Sequence, residues 1–427
     1  MPLPARLLAP IIAIVALLPG CDRATPAEKA DSLAADIAAI RAECPADPTA
    51  EQADEIAKPA KRAAKAYSTL RELAAEHPTE ASIAEACARA EPDFVVIRTA
   101  ARLAKERAEI ADLLSGLKVR AYRSARTIAI PKLLDLLAAS ARKAAETDIE
   151  NLPAPVRHAA QLAASLAGVK PAPAAQPDPA APFPKLTRAD WQRAADLIDA
   201  ANHNPPAEFS LGLALTYGVL GKSSLALVEL EYAESGRFDA PEYAALVPLV
   251  RAVLFSRLGC TELAAREATR ISGDHEQGRQ MLAVIHTTLA IVAAQQKDWK
   301  AMDRELGEAV RIWPNNPLVV YLTGERLLAD GRREQALEAF ARIETPEAAW
   351  LLPLLENRVR TVRDSEGEVP PLLLDNGFII RTALASLLHE SRHTPLGQKV
   401  ARLAATVHLL PAILDEEPAP ETGGQAQ

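Results

Sequence analysis

The chain has 427 residues and a net charge of -8, with 48 Lys and Arg against 56 Asp and Glu; this argues against a nucleic-acid binder, which shows a basic excess. The hydrophobic fraction is 49%, aromatic residues make up only 4% and glycines number 18, so the apolar content is aliphatic and suits helices. Leu and Ile recur every three or four residues in alanine-rich segments with no period-two alternation, so the expected fold class is all-α, with room for two or three domains.

The chain opens with Met1 to Ala5 and Arg6, followed by an apolar run from Leu7 to Leu18. That run has the length of a signal-peptide core and is too short to span a bilayer. Leu18-Pro19-Gly20-Cys21 follows at once and resembles a bacterial lipobox. The resemblance implies removal of residues 1–20 and diacylation of Cys21, against the alternative of a soluble secreted protein. Several acyl chains on one residue hold firmly, because each buried methylene adds about 0.8 kcal/mol. No second apolar segment is long enough for a transmembrane helix, so residues after Cys21 are expected to face the periplasm or exterior from a lipid anchor. Asp22 resembles the inner-membrane retention signal of enteric bacteria, and inner against outer membrane stays open.

Residues 21–169 read as an alanine-rich helical domain. Thr25-Pro26-Ala27-Glu28 is a capping box with proline at the first helical position. Leu33, Ile37, Ile40 and Cys44 share one helix face, Ile56, Ala63, Tyr67, Leu70 and Ala74 a second, and a third helix beginning at Thr79 carries Ile83 and Cys87. Export permits a Cys44–Cys87 disulfide, and two buried free thiols would look the same in sequence. Lys118, Arg120, Arg123, Arg126 and Lys132 surround Tyr122 in a basic run, which could face anionic lipid or pair with nearby acids on a solvated helix face. Six prolines between Lys170 and Pro184 then predict a stiff linker over 170–185, the clearest domain boundary in the chain.

After the linker, Thr187-Arg188-Ala189-Asp190 is another capping box, and Trp191, Ala194, Ile198 and Ala201 resemble the second half of a repeat. Four units follow. Counted from Ala207, the first places Leu213, Ala214, Tyr217, Gly221, Ala226, Leu230 and Ala233 at positions 7, 8, 11, 15, 20, 24 and 27. Counted from Ala245, the second has Ala252, Phe255, Gly259, Ala264, Ala268 and Ile271 from position 8 onward. The third, from Ala283, supplies Leu289, Ala290, Ala293, Met302, Leu306 and Ala309, and the fourth, from Pro317, supplies Gly324, Leu327, Gly331, Ala336, Phe340 and Ile343. Small residues at positions 8 and 20 let two antiparallel helices approach, and larger ones at 11 and 24 fill the space between hairpins. Asp298-Trp299-Lys300-Ala301-Met302 and Arg311-Ile312-Trp313-Pro314-Asn315-Asn316-Pro317 complete a pattern that resembles the tetratricopeptide repeat over about residues 187–346. The resemblance implies a superhelical repeat domain, 186–362, with a concave surface for a peptide or partner domain.

Carried onto this chain, the concave positions of that family are Leu211, Leu215, Val219, Leu249, Val253, Arg257, Thr287, Ile291, Gln295, Tyr321, Glu325 and Leu328. The lining is mostly apolar. Family members that clamp a peptide carboxylate use Lys, Asn and Arg where Leu211 and Leu215 stand, so a clamp is not expected. An apolar trough must be covered by a helix of this chain or by a partner.

A closing helix is expected from Ala348 to Val362, then a charged loop at Asp364-Ser365-Glu366-Gly367-Glu368. A C-terminal segment, 363–414, carries two helices near Phe378–Ser391 and Leu396–Leu414, and 415–427 is an acidic, proline-rich disordered tail. His389-Glu390-Ser391-Arg392-His393 matches H-E-x-x-H, in which two histidines bind zinc and the glutamate is general base. Arg392 beside a dication, Pro395 at once after it and the lack of a clear third ligand (His408 is the nearest) weigh against catalysis, leaving a solvated histidine pair. There is no Gly-rich phosphate loop, G-x-S-x-G elbow or paired C-x-x-C, and Cys260 reads as a structural thiol. The expectation is a non-enzymatic, cofactor-free lipoprotein scaffold that binds a protein through its apolar groove; the alternative is a membrane-anchored zinc metallopeptidase using His389, Glu390 and His393.

Overall fold

The computed structural model describes residues 24–167, 169, 186–201, 207–238, 241–343 and 351–369. The signal segment, Cys21, the proline-rich linker, the two expected C-terminal helices with H-E-x-x-H and the tail lie outside the described residues. All regular structure among the described residues is helical. The chain divides into two compact units, 1–108 and 109–427.

The first unit holds α1 (Pro26–Glu43), α2 (Ala53–Glu76) and most of α3 (Ala81–Ser115), within which the division falls. The capping box at Thr25 forms as expected, the Glu28 amide donating to Thr25 Oγ1 at 3.2 Å and the Thr25 amide to Glu28 Oε2 at 2.7 Å. Ile37, Leu70, Ile83 and Ile97 are fully buried between the helices, and Tyr67 stacks on Phe94 with ring centroids 4.3 Å apart. Cys44 and Cys87 are free thiols, which corrects the possible disulfide. The reason is distance along the bundle. Arg107 on α3 pairs with Asp47 at 2.7 Å, just beyond Cys44, whereas Cys87 lies twenty residues earlier on the same helix, about 30 Å away at 1.5 Å rise per residue. A disulfide needs α-carbons within about 7 Å. Cys87 instead donates its thiol to the Leu70 carbonyl at 3.6 Å.

The second unit starts with α4 (Leu117–Glu146), a 3-10 turn at Ile149–Asn151, α5 (Ala154–Leu166) and α6 (Arg188–Ala201). Leu134, Leu137, Ala141, Leu162, Ala163, Trp191 and Ile198 share one core with Phe209 and Leu213 of the helix that follows. The helices on either side of the proline-rich stretch therefore belong to one packed body, and the domain boundary expected at 170–185 is corrected to Ala108. Apolar complementarity between α4, α5 and α6 outweighs the composition break between them.

Four helical hairpins come next: α7 (Ala207–Val219) with α8 (Ser223–Ser235); α10 (Leu246–Arg257) with α11 (Thr261–Ala268), after a single turn of helix α9 (Pro241–Ala244); α12 (Glu276–Gln295) with α13 (Trp299–Ile312); and α14 (Pro317–Ala329) with α15 (Arg333–Ala341). Helix α8 packs on α10, α10 on α12, and α14 on both α12 and α13, so each hairpin lies against the next. A closing helix, α16 (Leu352–Asp364), packs on α15.

Every hairpin reverses in the same way. Position 15 of each unit holds the left-handed conformation: Gly221 at φ 79°, Gly259 at 79°, Lys297 at 57° and Gly331 at 72°. The amides of Lys222, Cys260, Asp298 and Arg332 then reach back five residues to the carbonyls of Tyr217, Phe255, Ala293 and Leu327 at 2.8 to 2.9 Å, and each position-15 amide reaches back three. This pair of bonds is a Schellman cap. It uses two carbonyls that a helix end otherwise leaves without partners. Positions 8 and 20 are buried in all four units, by Ala214 and Ala226, Ala252 and Ala264, Ala290 and Met302, and Gly324 and Ala336. In the fourth unit position 8 also meets position 24 closely: a Cβ added at Gly324 would stand 2.3 Å from Phe340 Cε1.

Two expectations follow from these turns and contacts. Nothing lies within 4 Å of a Cβ at Gly259, so Gly259→Ala should destabilise by about 1 kcal/mol through backbone conformation alone, and Lys297→Gly should stabilise by a similar or smaller amount; urea denaturation of both variants checks the sign. Gly324→Ala should cost about 1–3 kcal/mol through overpacking, and adding Phe340→Leu, which recreates the Ala290–Leu306 pairing of the third unit, should recover part of the loss in a double-mutant cycle.

Candidate functional site

The twelve residues expected to line a groove do not form an open trough. Leu211, Leu215, Leu249, Val253, Thr287, Ile291, Tyr321, Glu325 and Leu328 are buried, Val219 and Arg257 are partly buried, and only Gln295 is exposed. An apolar face this continuous lowers its free energy by closing against the chain's own helices, at about 25 cal/mol per Å² removed from water. The polar members are also engaged. Thr287 donates to the Ala283 carbonyl at 2.7 Å, and Arg257 donates to the Gly218 carbonyl at 3.1 Å, tying the second hairpin to the first.

Glu325 is engaged within the chain as well. Its carboxylate takes both arms of Arg358 from α16, at 2.7 and 2.8 Å, with the two side chains 2% and 6% exposed. Tyr321 lies beside this pair, fully buried and tilted against Phe340 with centroids 5.5 Å apart. Burial, then the neighbouring Glu325 carboxylate, push its hydroxyl well above the usual phenol range, so it is protonated at any physiological pH.

A matching cluster stands at the other end of the hairpin stack. Glu229 of α8 is fully buried, and Arg126 of α4 grips it with Nε at 2.7 Å and Nη2 at 2.9 Å. The same Nη2 donates to Ser210 Oγ on α7 at 2.6 Å, and the guanidinium lies 3.7 Å from the centre of the Tyr232 ring. Tyr122 donates its hydroxyl to Glu229 and meets Tyr217 edge-on at 5.6 Å. Burial, then the Glu229 carboxylate, hold the Tyr122 hydroxyl far above its ordinary range, keeping it a donor. Burial works against the Arg126 cation, and Glu229 more than offsets it. Arg123 adds an outer pair with Glu231 at 2.5 Å.

Each cluster thus joins a hairpin to a flanking helix through a bidentate guanidinium–carboxylate pair inside an apolar surround. A carboxylate and a guanidinium placed this way hold elements together, and their hydrogen bonds are directed at one another. The sequence carried one signal of this. Glu229 interrupts the run Leu227-Val228-Glu229-Leu230 on a helix whose neighbours are buried, and a lone acid there calls for a buried cation. Its partner, 103 residues away, was not identifiable.

Cys260 is buried behind Gly259, as a structural thiol should be. Among the described residues no group of three His, Cys, Asp or Glu side chains is arranged to hold a metal, and no helix is long and apolar enough to cross a membrane. His389, Glu390 and His393 lie outside the described residues.

Removing one member of a buried pair leaves its partner charged and unpaired, so Glu229→Gln or Arg126→Met should destabilise the second unit by about 3–5 kcal/mol, whereas Arg126→Met with Glu229→Leu should regain most of that in chemical denaturation. In comparisons with known proteins, no family model, no curated protein and no solved structure matches this chain.

Proposed function

We propose that the chain is a lipid-anchored bacterial lipoprotein of the cell envelope, whose tetratricopeptide-like array binds a protein partner. The observation that carries the reading is the identical turn closing four successive hairpins at position 15, because a stack of equivalent units offers a partner a long and continuous surface. The sequence Leu18-Pro19-Gly20-Cys21 supports the anchor through its resemblance to a lipobox. Binding is assigned to the solvent-facing sides of the hairpins. The apolar lining from Leu211 to Leu328 is interior and contributes to stability instead.

The test is made on the protein in its native membrane. Mass spectrometry should find acyl chains on Cys21, and Cys21→Ser should move the protein from the membrane to the soluble fraction. Crosslinking in intact envelopes should join one partner protein to lysines or acids within residues 207–341. An unmodified Cys21, or crosslinks from those hairpins only to the chain itself, would remove the reading. Stoichiometric zinc that is lost with His389→Ala and His393→Ala would replace it with the metallopeptidase alternative.

A further inference from the structure

The basic run of α4 is sorted by the fold into two faces. Tyr122, Arg123 and Arg126 turn inward to Glu229 and Glu231. Lys118, Arg120 and Lys132 remain on the exposed side, and none of them makes an ion pair among the described residues. Between these cations runs an apolar line. Leu117 is 79% exposed and Ile128 64%, with Ala121 and Ala125 exposed between them and Leu136 at 51% beyond. At 100° per residue, Leu117, Ala121 and Ile128 fall within about 40° of one another, and Lys118 and Arg120 stand on opposite sides of that line. Asp135 is the one acid on this face between Leu117 and Ala139, and it is already engaged within the chain.

Leu117, Ile128 and Leu136 are the three most exposed large aliphatic side chains among the described residues, and cations flank them. We infer that the outer face of α4 from Leu117 to Leu136 docks on an anionic lipid surface. Leu117, Ile128 and Leu136 enter the headgroup boundary, while Lys118, Arg120 and Lys132 meet lipid phosphates at its edges. The charge pattern selects this occupant. A second copy of the chain would bring the same cations against one another, whereas an acidic bilayer complements them. The inner face is held by Arg126 and Glu229, so the helix is rigidly presented and loses little entropy on docking.

This inference deepens the anchored reading, and it is tested without the anchor. The chain from Asp22 onward keeps every described residue and carries no lipid if Cys21 is absent. It should sediment with vesicles of phosphatidylcholine and phosphatidylglycerol, and bind vesicles of phosphatidylcholine alone far more weakly. Each Lys or Arg near an anionic surface strengthens binding about fivefold, so K118E/R120E/K132E should weaken it by about a hundredfold or more, and salt should weaken the wild type. Ile128→Glu should cost about tenfold or more. Its position is exposed, so helicity should be unchanged, and circular dichroism of each variant confirms that. Equal binding to both vesicle types, no binding, or full binding by the variants would overturn the inference. A dimer of the wild type that dissociates on Ile128→Glu would also overturn it, by assigning the face to a second copy. If Cys21 proves unmodified while vesicle binding holds, the anchored reading fails and the α4 surface stands.

Discussion

A helix that must fold back on its successor within a few residues needs a backbone that leaves the right-handed region and still gives its last carbonyls hydrogen-bond partners. Position 15 meets that constraint in all four hairpins, through Gly221, Gly259, Lys297 and Gly331. The reversal folds positions 8 and 20 into the buried interior, and the side chains there, Ala or Gly in every case but Met302, leave room for the two helices to approach. Packing of one hairpin on the next follows from that spacing. In the fourth unit the side chain at position 8 disappears altogether, since Gly324 gives its space to the Phe340 ring at position 24.

Stacked hairpins have two open ends, and each end here is closed by charge as well as by apolar contact. Arg126 reaches Glu229 from the helix before the stack, and Arg358 reaches Glu325 from the helix after it. A buried ion pair contributes little net stability over an apolar pair of the same size, but it penalises any register in which the carboxylate and guanidinium fail to meet. The two clusters therefore specify which flanking helix seats where. Tyr122, Ser210 and Tyr232 around the first, and the buried Tyr321 beside the second, make each seat specific to its partner.

What could be read from the sequence was local. The hairpin register rests on small and glycine residues whose roles depend on spacing within one unit, and the capping boxes at Thr25 and Thr187 depend on residues three apart, so both were legible. Lys297 stands where the other units have glycine, and the turn there was visible only as a gap in the pattern. The seats of Arg126 and Arg358 join residues 103 and 33 apart, and spacing carries no information over such distances. The apolar lining was recognised as apolar, but composition does not say whether a chain or a partner covers it. The proline-rich stretch misled for a related reason. A break in composition marks where helices stop, whereas the shared core of Leu137, Leu162, Trp191 and Phe209 decides which of them belong together.

Helix α4 shows how one segment can serve two solvents. Its period places Val119, Tyr122, Arg126, Ile130, Leu134 and Leu137 on the side that faces α5 to α8, and there the cation at Arg126 is matched by an acid and a hydroxyl. Half a turn away, Leu117, Lys118, Arg120, Ile128 and Lys132 have neither an acid opposite nor an apolar cover among the described residues. A protein with an acidic excess has ample carboxylates to neutralise three more cations, and among the described residues Asp135 is the one acid that α4 places on this face. The contrast between a matched inner face and an unmatched outer one is a statement about surroundings, because a helix surface is complementary to whatever it meets. Inside, that is Glu229; outside, the complement of aliphatic side chains edged with cations is a boundary between hydrocarbon and anion.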